Sequence, residues 1–194
     1  MKNKILFSVI IILVAAVGIY FLDQKKPASP GEENNQQTEE PQKIVTEEFS
    51  MDVVRGWRQV EPPAEFSAMA ANQGEVIEDP KAQEINFKSY FALSHRDLQE
   101  QSSEEFFQEI KEGLQQSIPG IVFTLEQNEV INENPAQILE AEFNQQEVDF
   151  KVLIAVIEGD ADDVWTMSFN TLKSSWDKYR DLFYESAQSF VVKK

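Results

Sequence analysis

The chain has 194 residues, of which 42% are hydrophobic and 26% are charged, and its formal net charge at pH 7 is −17. It contains no cysteine, which excludes disulfides, thiolate metal sites, a cysteine nucleophile and a lipid anchor attached to cysteine. Because residues 1–43 hold five basic and five acidic residues, the 12 basic and 29 acidic residues of positions 44–194 carry the whole imbalance. Such a surface repels phosphate groups, so binding to nucleic acids or to anionic lipid surfaces is disfavoured.

The amino-terminal segment is predicted to cross a lipid bilayer. Residues 5–22 are 18 uncharged and almost wholly apolar positions. As a helix they would be about 27 Å long, close to the bilayer's hydrocarbon thickness of about 30 Å. Two lysines precede the segment, whereas the charges directly after it partly cancel, which favours a cytoplasmic N-terminus. Residues 1–23 are therefore predicted to be a single-pass anchor, with the rest of the chain extracytoplasmic.

A cleaved signal peptide is the competing interpretation of the same segment. Residues 16–18 read Ala-Val-Gly, small side chains at the spacing that a signal peptidase prefers. Residues 19–22 continue the apolar run beyond that point, which is typical of an uncleaved anchor. The anchor is the interpretation we favour.

A change of composition separates the anchor from a domain. Residues 24–43 are rich in Pro, Gly, Ser, Glu, Asn, Gln and Thr and have no large apolar side chain. Burial in such a segment cannot offset the entropy of ordering it, so a disordered linker is predicted. Residues 44–194 have the length of one domain with its own core.

The first half of the domain has the alternating pattern of β-strands. Residues 49–54 alternate at period two, and Arg55-Gly56 is predicted to turn the chain into a strand at 57–60. Further strands are predicted at 66–71 and 84–96. In the last of these, one face would carry the following residues: Ile85, Phe87, Ser89, Phe91 and Leu93.

A helix, four strands and a second helix follow. Ser102 and Glu105 have the spacing of a capping box, and apolar residues at helical spacing follow until Pro119-Gly120. Strands are then predicted at 121–132, 136–145, 148–158 and 164–172, joined by turns so short that neighbours must be antiparallel. The 148–158 strand is apolar on both faces, so we expect it to be covered on both sides.

The last helix is predicted to begin at Ser174 or Ser175 as its cap. Aromatic residues expected in the core are Trp57, Trp176, Tyr179, Phe183 and Phe190. The order of elements predicts an α+β fold in which an antiparallel sheet is sandwiched between helices.

Three passages resemble the PsbP-like domains of the Mog/PsbP superfamily. Residues 49–57, FSMDVVRGW, resemble the opening strand and its Gly-Trp turn, and residues 130–136, VINENPA, resemble the mid-domain hairpin. Residues 176–190, with a closing Ser-Phe, resemble the terminal helix. The resemblance implies an antiparallel sheet between helices and a membrane-anchored bacterial type of the domain. Members of the superfamily also include extrinsic lumenal proteins of photosystem II.

The polar residues offer few candidates for catalysis. His95 is the only histidine, and its neighbours Ser94 and Asp97 cannot form a triad with it because adjacent strand residues alternate faces. We expect an exposed or satisfied histidine at the end of a strand. Glu140 and Glu142 share one face of a strand and are the candidates for a carboxylate-dependent hydrolase. Because the domain holds 29 acidic residues, a solvated face is the favoured interpretation.

The densest acidic turn is the candidate metal site. Asp160, Asp162 and Asp163 cluster there, but Val164 and Trp165 stand where the calcium loop of an EF-hand needs an oxygen ligand and a glycine. The alternatives are a weak calcium site and an ordinary hairpin turn, of which the turn is favoured. The seven glycines form no phosphate-binding pattern, so no cofactor is expected.

The sequence predicts a binding protein without enzymatic activity. An anchor in the lipid bilayer at residues 5–22, a linker and a domain without a catalytic set favour a protein-binding or assembly module outside the cytoplasm. Its partner would be a protein or envelope component, met through a sheet edge, hairpin turns or the acidic surface. The acidity either attracts a basic partner or only keeps the domain soluble, and the second interpretation is favoured.

Overall fold

The computed structural model describes residues 42–160 and 162–193. The strands, in chain order, are β1 (Lys43–Val45), β2 (Phe49–Asp52), β3 (Arg58–Gln59), β4 (Ala68–Ala71), β5 (Tyr90–Asp97), β6 (Val122–Ile131), β7 (Asn134–Gln145), β8 (Val148–Glu158), β9 (Asp163–Leu172) and β10 (Val191–Val192). The helices are α1 (Pro80–Glu84), α2 (Ser103–Ser117) and α3 (Trp176–Gln188). The predicted α+β class is confirmed.

The strand pairs of the described residues are all antiparallel, and they form two sheets. The larger sheet has the order β3-β4-β5-β9-β8-β7-β6, and the smaller has the order β1-β2-β10. The β6-β7-β8-β9 meander follows the sequence prediction. The strand predicted at 49–54 lies in the smaller sheet, where it pairs with both ends of the domain.

Helices pack against both faces of the larger sheet. On one face, α2 contributes Phe107 and Leu114 to a core that includes Val152 and Ile154 of β8. On the other face, α3 and β2 pack against the side chains of β8 that point the opposite way, such as Leu153. β8 is therefore covered on both sides, as its apolar sequence predicted.

The beginning of α2 has the predicted capping box. The Ser102 hydroxyl accepts a hydrogen bond from the Glu105 amide, and the Glu105 carboxylate accepts one from the Ser102 amide. This carboxylate gains hydrogen bonds from Ser102, which lower the pKa of Glu105. The helix is followed by Gly120, whose φ of +79° suits the residue without a side chain.

The predicted cap of α3 is wrong in its chemistry. Ser175 does precede the helix, but its side chain makes no capping hydrogen bond. A 3₁₀ turn, Lys173–Ser175, leads directly into α3 and supplies the first turn of backbone instead. The aromatic residues predicted for the core are all buried: Trp57, Trp176, Tyr179, Phe183 and Phe190.

The strand predicted at 84–96 is only partly correct. Its first residues belong to the end of α1, whose N-cap Asp79 accepts hydrogen bonds from the amides of Lys81 and Ala82. Asn86 then adopts a φ of +52°, which interrupts any strand, and β5 begins at Tyr90.

The predicted common face of that strand is wrong as well. Phe91 and Leu93 point toward α3, whereas Ile85 and Phe87 belong to the core beside α2. The strand predicted at 66–71 is shorter than expected, because only Ala68–Ala71 pair with a neighbour.

The predicted anchor at 1–23 and the linker up to residue 41 lie outside the described residues. Within the described part of the chain, no helix is both long and apolar enough to cross a membrane.

Candidate functional site

His95 and Asp163 form a pair at one end of the larger sheet. The His95 Nε2 atom lies 2.8 Å from Oδ2 of Asp163, and the imidazole stacks on the Trp165 indole with 4.3 Å between ring centroids. His95 is opposite Trp165 in the β5-β9 register. The expectation of an exposed or satisfied histidine at the end of a strand is confirmed, since His95 is exposed and bound to Asp163.

The acidic turn places its carboxylates in different surroundings. Asp160 and Asp162 are exposed, whereas Asp163 begins β9 and is engaged by His95. The other Asp163 oxygen is enclosed and accepts no hydrogen bond. No group of three or more histidine, aspartate or glutamate side chains among residues 42–160 and 162–193 is arranged to hold a metal ion. A weak calcium site at Asp160, Asp162 and Asp163 stays a prediction.

Glu140 is buried beneath α3, so the expected solvated face is wrong for this residue. It is 4% exposed. Its Oε1 accepts hydrogen bonds from Arg180 Nε and from the Tyr184 hydroxyl, each at 3.0 Å, and its Oε2 lies 3.6 Å from Lys151 Nζ. Burial, followed by the hydrogen bond to Glu140, raises the pKa of Tyr184. The carboxylate is neutralised by residues that α3 and β8 bring to it.

Glu142 is held in the same way by two lysines. Its Oε1 lies 3.0 Å from Lys151 Nζ and its Oε2 lies 2.5 Å from Lys173 Nζ. The hydrogen bond from Lys173, followed by that from Lys151, lowers the pKa of Glu142. A general acid at neutral pH needs a raised pKa, so this carboxylate is unsuited to that role. The two glutamates act chemically as anchors for α3 and for the turn that precedes it.

The long outer edge of the larger sheet is formed by β6. This strand pairs with β7 on one side, and no strand of the described chain pairs with its other side. It is ten residues long, whereas the opposite edge strand, β3, has two. Two of its valines are largely exposed, Val122 at 57% and Val130 at 69%. Its outer main-chain groups are therefore not paired with any strand among residues 42–160 and 162–193.

A cavity of about 290 Å³ lies beside this edge, on the face that carries α2. The register places Asn128 of β6 opposite Gln137 of β7, and the cavity continues from there to Glu158 of β8. Ser103 and Glu104, at the beginning of α2, close it on the helix side. The cavity thus spans three strands and reaches the unpaired edge.

Two of the three glutamates that line this cavity, Glu104 and Glu158, accept hydrogen bonds from neutral donors. The Ser103 hydroxyl donates to Glu158, and the Gln137 side-chain amide donates to Glu104. No lysine, arginine or histidine in the described ranges forms an ion pair with either of these glutamates. The cavity can therefore accept a cationic group that carries several N–H donors.

The sequence indicated the strand but not the site. The sequence predicts a strand at 121–132, and a sheet edge is one of the three surfaces that it offers for recognition. The available signal was its polar middle, residues 126–129, which contrasts with the apolar residues of β8. No local pattern in the sequence indicates the cavity, because its lining residues come from four separate elements: α2, β6, β7 and β8.

The sequence matches no protein-family model and no curated protein. Solved structures do resemble the fold. Cyanobacterial PsbP (CyanoP) from Synechocystis sp. PCC 6803 aligns with 84% of this chain and 99% of its own, at 13% identity and a TM-score of 0.58. LpqN of Mycobacterium tuberculosis, described as involved in cell envelope biogenesis, aligns with 81% of this chain and 87% of its own, at 12% identity and a TM-score of 0.58.

The Ran-binding protein Mog1p of Saccharomyces cerevisiae aligns with 79% of this chain and 96% of its own, at 12% identity and a TM-score of 0.51. Likeness at such identities concerns the fold and not the activity. The domain therefore has the fold of the Mog/PsbP superfamily, as the resemblance in its sequence predicted.

Proposed function

We propose that this chain is a non-enzymatic protein-binding module that receives an extended segment of its partner along β6. The observation that carries the proposal is the ten-residue edge strand with no neighbour on its outer side in the described chain. Addition of a strand to a sheet edge gains main-chain hydrogen bonds and is a recurrent mode of peptide recognition.

The composition of β6 supports this use of the edge. Proteins commonly protect exposed edges with lysine, proline or a very short strand. β6 contains neither lysine nor proline and is ten residues long. A bulge is a further protective device, and the irregularity between Phe123 and Leu125 lies near one end of β6 and leaves residues 125–131 in regular register with β7. The charged residues on β6 are Glu126 and Glu129. They oppose pairing with acidic chains and allow pairing with neutral or basic ones.

The alternative of a carboxylate-dependent hydrolase has less support. Its candidate residues, Glu140 and Glu142, are each held by two cationic side chains. Two of the similar structures also belong to proteins described by a partner or a cellular process and not by a reaction, namely Ran binding for Mog1p and envelope biogenesis for LpqN. These descriptions are consistent with a binding role for this chain.

The module would be held at the outer face of a membrane. This part of the proposal rests on the apolar residues 5–22 and on the linker composition of 24–43. Protease added to intact cells should remove a tag placed after Lys194. Protection of that tag would reject the extracytoplasmic location.

Site-specific photocrosslinking tests the proposed edge. A benzophenone side chain is introduced at Val130 of β6 or, as the matched control, at Val76, which is 87% exposed on a loop. We expect irradiation of whole cells to give one recurrent adduct from position 130 and not from position 76. Equal adducts from both positions, or none from position 130, would contradict binding at the edge.

A further inference from the structure

We propose that the segment received by β6 is basic, and that it places an arginine side chain in the cavity between β6 and the beginning of α2. This inference rests on the proposed function, because it specifies which extended segment the edge selects. The two statements are separable, since pairing depends on main-chain groups and selection depends on one side chain.

The register of the sheet identifies the position of that side chain. Residues that are directly opposite in neighbouring antiparallel strands point to the same face, and adjacent strands lie about 4.8 Å apart. Asn128 is opposite Gln137 on the face that carries α2, and both contact the cavity. The partner residue opposite Asn128 would therefore point to the same face. A long side chain at that position can extend across β6 toward Gln137 and Glu104, which also line the cavity.

The charges of the cavity favour a cation there. Glu104 and Glu158 supply two carboxylates without a cationic partner in the described residues. The first turn of α2 opposes them with about half a positive charge, which leaves a negative excess. By contrast, Glu126 on the same face of β6 is already paired with Lys111 at 2.7 Å.

Arginine suits the site better than lysine. Its planar guanidinium carries five N–H donors and binds carboxylates in pairs of hydrogen bonds. The acceptors at the cavity include the carboxylates of Glu104 and Glu158. An ammonium group would have three donors and less reach across the cavity.

A second copy of this chain is a poor occupant of the edge. Pairing two β6 strands would bring together two domains that each carry a net charge of −17. Like charges across an interface repel each other. A basic extended segment has the opposite relationship to the same surface. Its binding should weaken as salt is added, because salt screens exposed charges.

The test uses the full-length chain in detergent micelles and a fluorescent seven-residue peptide. The peptide alternates threonine and valine and has arginine at its centre, so that arginine and the valines share one face. A matched peptide has citrulline, the neutral analogue of arginine, at the centre. By fluorescence anisotropy we expect the citrulline peptide to bind about fivefold more weakly, as befits partly exposed ion pairs.

Isosteric variants locate the selection. In the double variant Glu104→Gln/Glu158→Gln, both peptides should bind equally. The control Glu109→Gln/Glu112→Gln removes the same charge from α2 outside the cavity and should preserve the preference for arginine. Equal binding of the two peptides to the unaltered chain would overturn the inference. A preference that survives Glu104→Gln/Glu158→Gln would also overturn it.

Two peptides with N-methyl groups on alternate residues test the pairing itself. Each residue of a strand directs its amide to one side, so only one of the two methylation patterns should abolish binding. Equal affinity for both patterns would reject strand addition and, with it, the proposed function. If instead only one pattern binds but arginine gives no advantage, the function stands and the basic partner is rejected.

Two other possible occupants of the edge, a second copy of this chain and the chain's own linker, would give different results. A stable dimer of the full-length chain in sedimentation equilibrium that excludes the peptide would identify a second copy and overturn the inference. Peptide binding seen only after Lys25→Gln/Lys26→Gln would identify the chain's own linker as the occupant, with the same consequence.

Discussion

The carboxylate of Glu140 and the guanidinium of Arg180 form a hydrogen-bonded ion pair between β7 and α3, with 3.0 Å between Oε1 and Nε. Glu140 is buried, whereas the Arg180 side chain is 43% exposed. The Tyr184 hydroxyl donates to the same carboxylate oxygen. Removal of either partner on α3 therefore leaves a buried charge with fewer donors.

Arg180→Met should lower the free energy of unfolding by about 1–2 kcal/mol, since a hydrogen bond to a buried charged group is lost. In the double variant Glu140→Gln/Arg180→Met the loss should be smaller than the sum of the two single losses. Urea unfolding of the unaltered chain, Glu140→Gln, Arg180→Met and the double variant measures this coupling. Strict additivity would show that the ion pair contributes nothing.

Glu142 should make stability depend on acid pH. Hydrogen bonds from Lys173 and Lys151 lower the pKa of Glu142 from its ordinary value of 4.5. Because the folded pKa is below the unfolded one, the ion pairs stabilise the fold fully above about pH 4.5 and lose this effect as the pH falls through the folded pKa. Glu142→Gln should therefore destabilise the protein at neutral pH and have little effect in stronger acid.

Urea unfolding across this pH range checks the prediction, with Glu112→Gln as the control for net charge. A difference between Glu142→Gln and the unaltered chain that stayed constant down to about pH 3 would contradict it.

Phe183 is fully buried at the centre of the aromatic core below α3. Its ring lies 5.1 Å from that of Phe169 and 5.5 Å from that of Trp57, measured between centroids. Phe183→Ala should cost about 3–5 kcal/mol of stability, because it removes a large apolar side chain and leaves a cavity. Val76→Ala is the exposed control. An unchanged melting curve for Phe183→Ala would contradict this packing.

The β7-β8 hairpin has a two-residue loop without glycine. Gln146 and Glu147 adopt φ values of +54° and +64°, and this left-handed region costs an ordinary residue about 1–2 kcal/mol. Glu147→Gly should relieve that cost, and it removes only an exposed ion pair with Lys81 at 3.7 Å. Because glycine also gives the unfolded chain more conformational entropy, the expected net stabilisation is about 0.5–1 kcal/mol. Thermal unfolding measures it.

The β6-β7 hairpin provides the contrast. Asn132 has a φ of +46°, but its side-chain amide also donates to the carbonyl groups of Gln188 and Phe190. Asn132→Gly should relieve the backbone cost and lose these hydrogen bonds, so no net stabilisation is expected. If Asn132→Gly stabilised the protein as much as Glu147→Gly, the hydrogen bonds of the Asn132 side chain would contribute nothing to stability.

Calcium should leave the fluorescence of Trp165 unchanged. The indole is 2% exposed and stacks on His95, which holds Asp163. Any metal ion bound at the acidic turn would disturb this arrangement. In the variant Trp57→Phe/Trp176→Phe, Trp165 is the only tryptophan, so the fluorescence reports on this site alone. A saturable change at millimolar calcium that disappears in Asp163→Asn would establish the site and contradict the expectation.

Elements with a long periodic pattern could be predicted from the sequence. α2 has both a capping box and five buried residues at helical spacing, and β8 is apolar throughout its centre. α1 could not be read from periodicity, because five residues complete fewer than two turns. Its one local signal was Asp79 followed by proline, a combination typical of a helix start.

The charged groups depend on contacts between distant residues. Arg180 and Tyr184 are 40 and 44 positions from Glu140, so the burial of this glutamate follows from the docking of α3 and not from its neighbours in the chain. The cavity beside β6 is similarly assembled from four elements. Local composition favoured a solvated surface at Glu140 because acidic residues are abundant throughout the domain.

The irregularity in β6 limits how much of the edge one partner can use. Thr124 has no opposite residue in β7, since Phe123 is opposite Ala141 and Leu125 is opposite Glu140. A regular incoming strand that matches the pleat on one side of this irregularity is out of phase on the other. Continuous pairing is thereby confined to residues 125–131, about 23 Å of backbone at the usual rise per residue. Ligands longer than about seven residues should gain no further hydrogen bonds unless they carry a compensating bulge of their own.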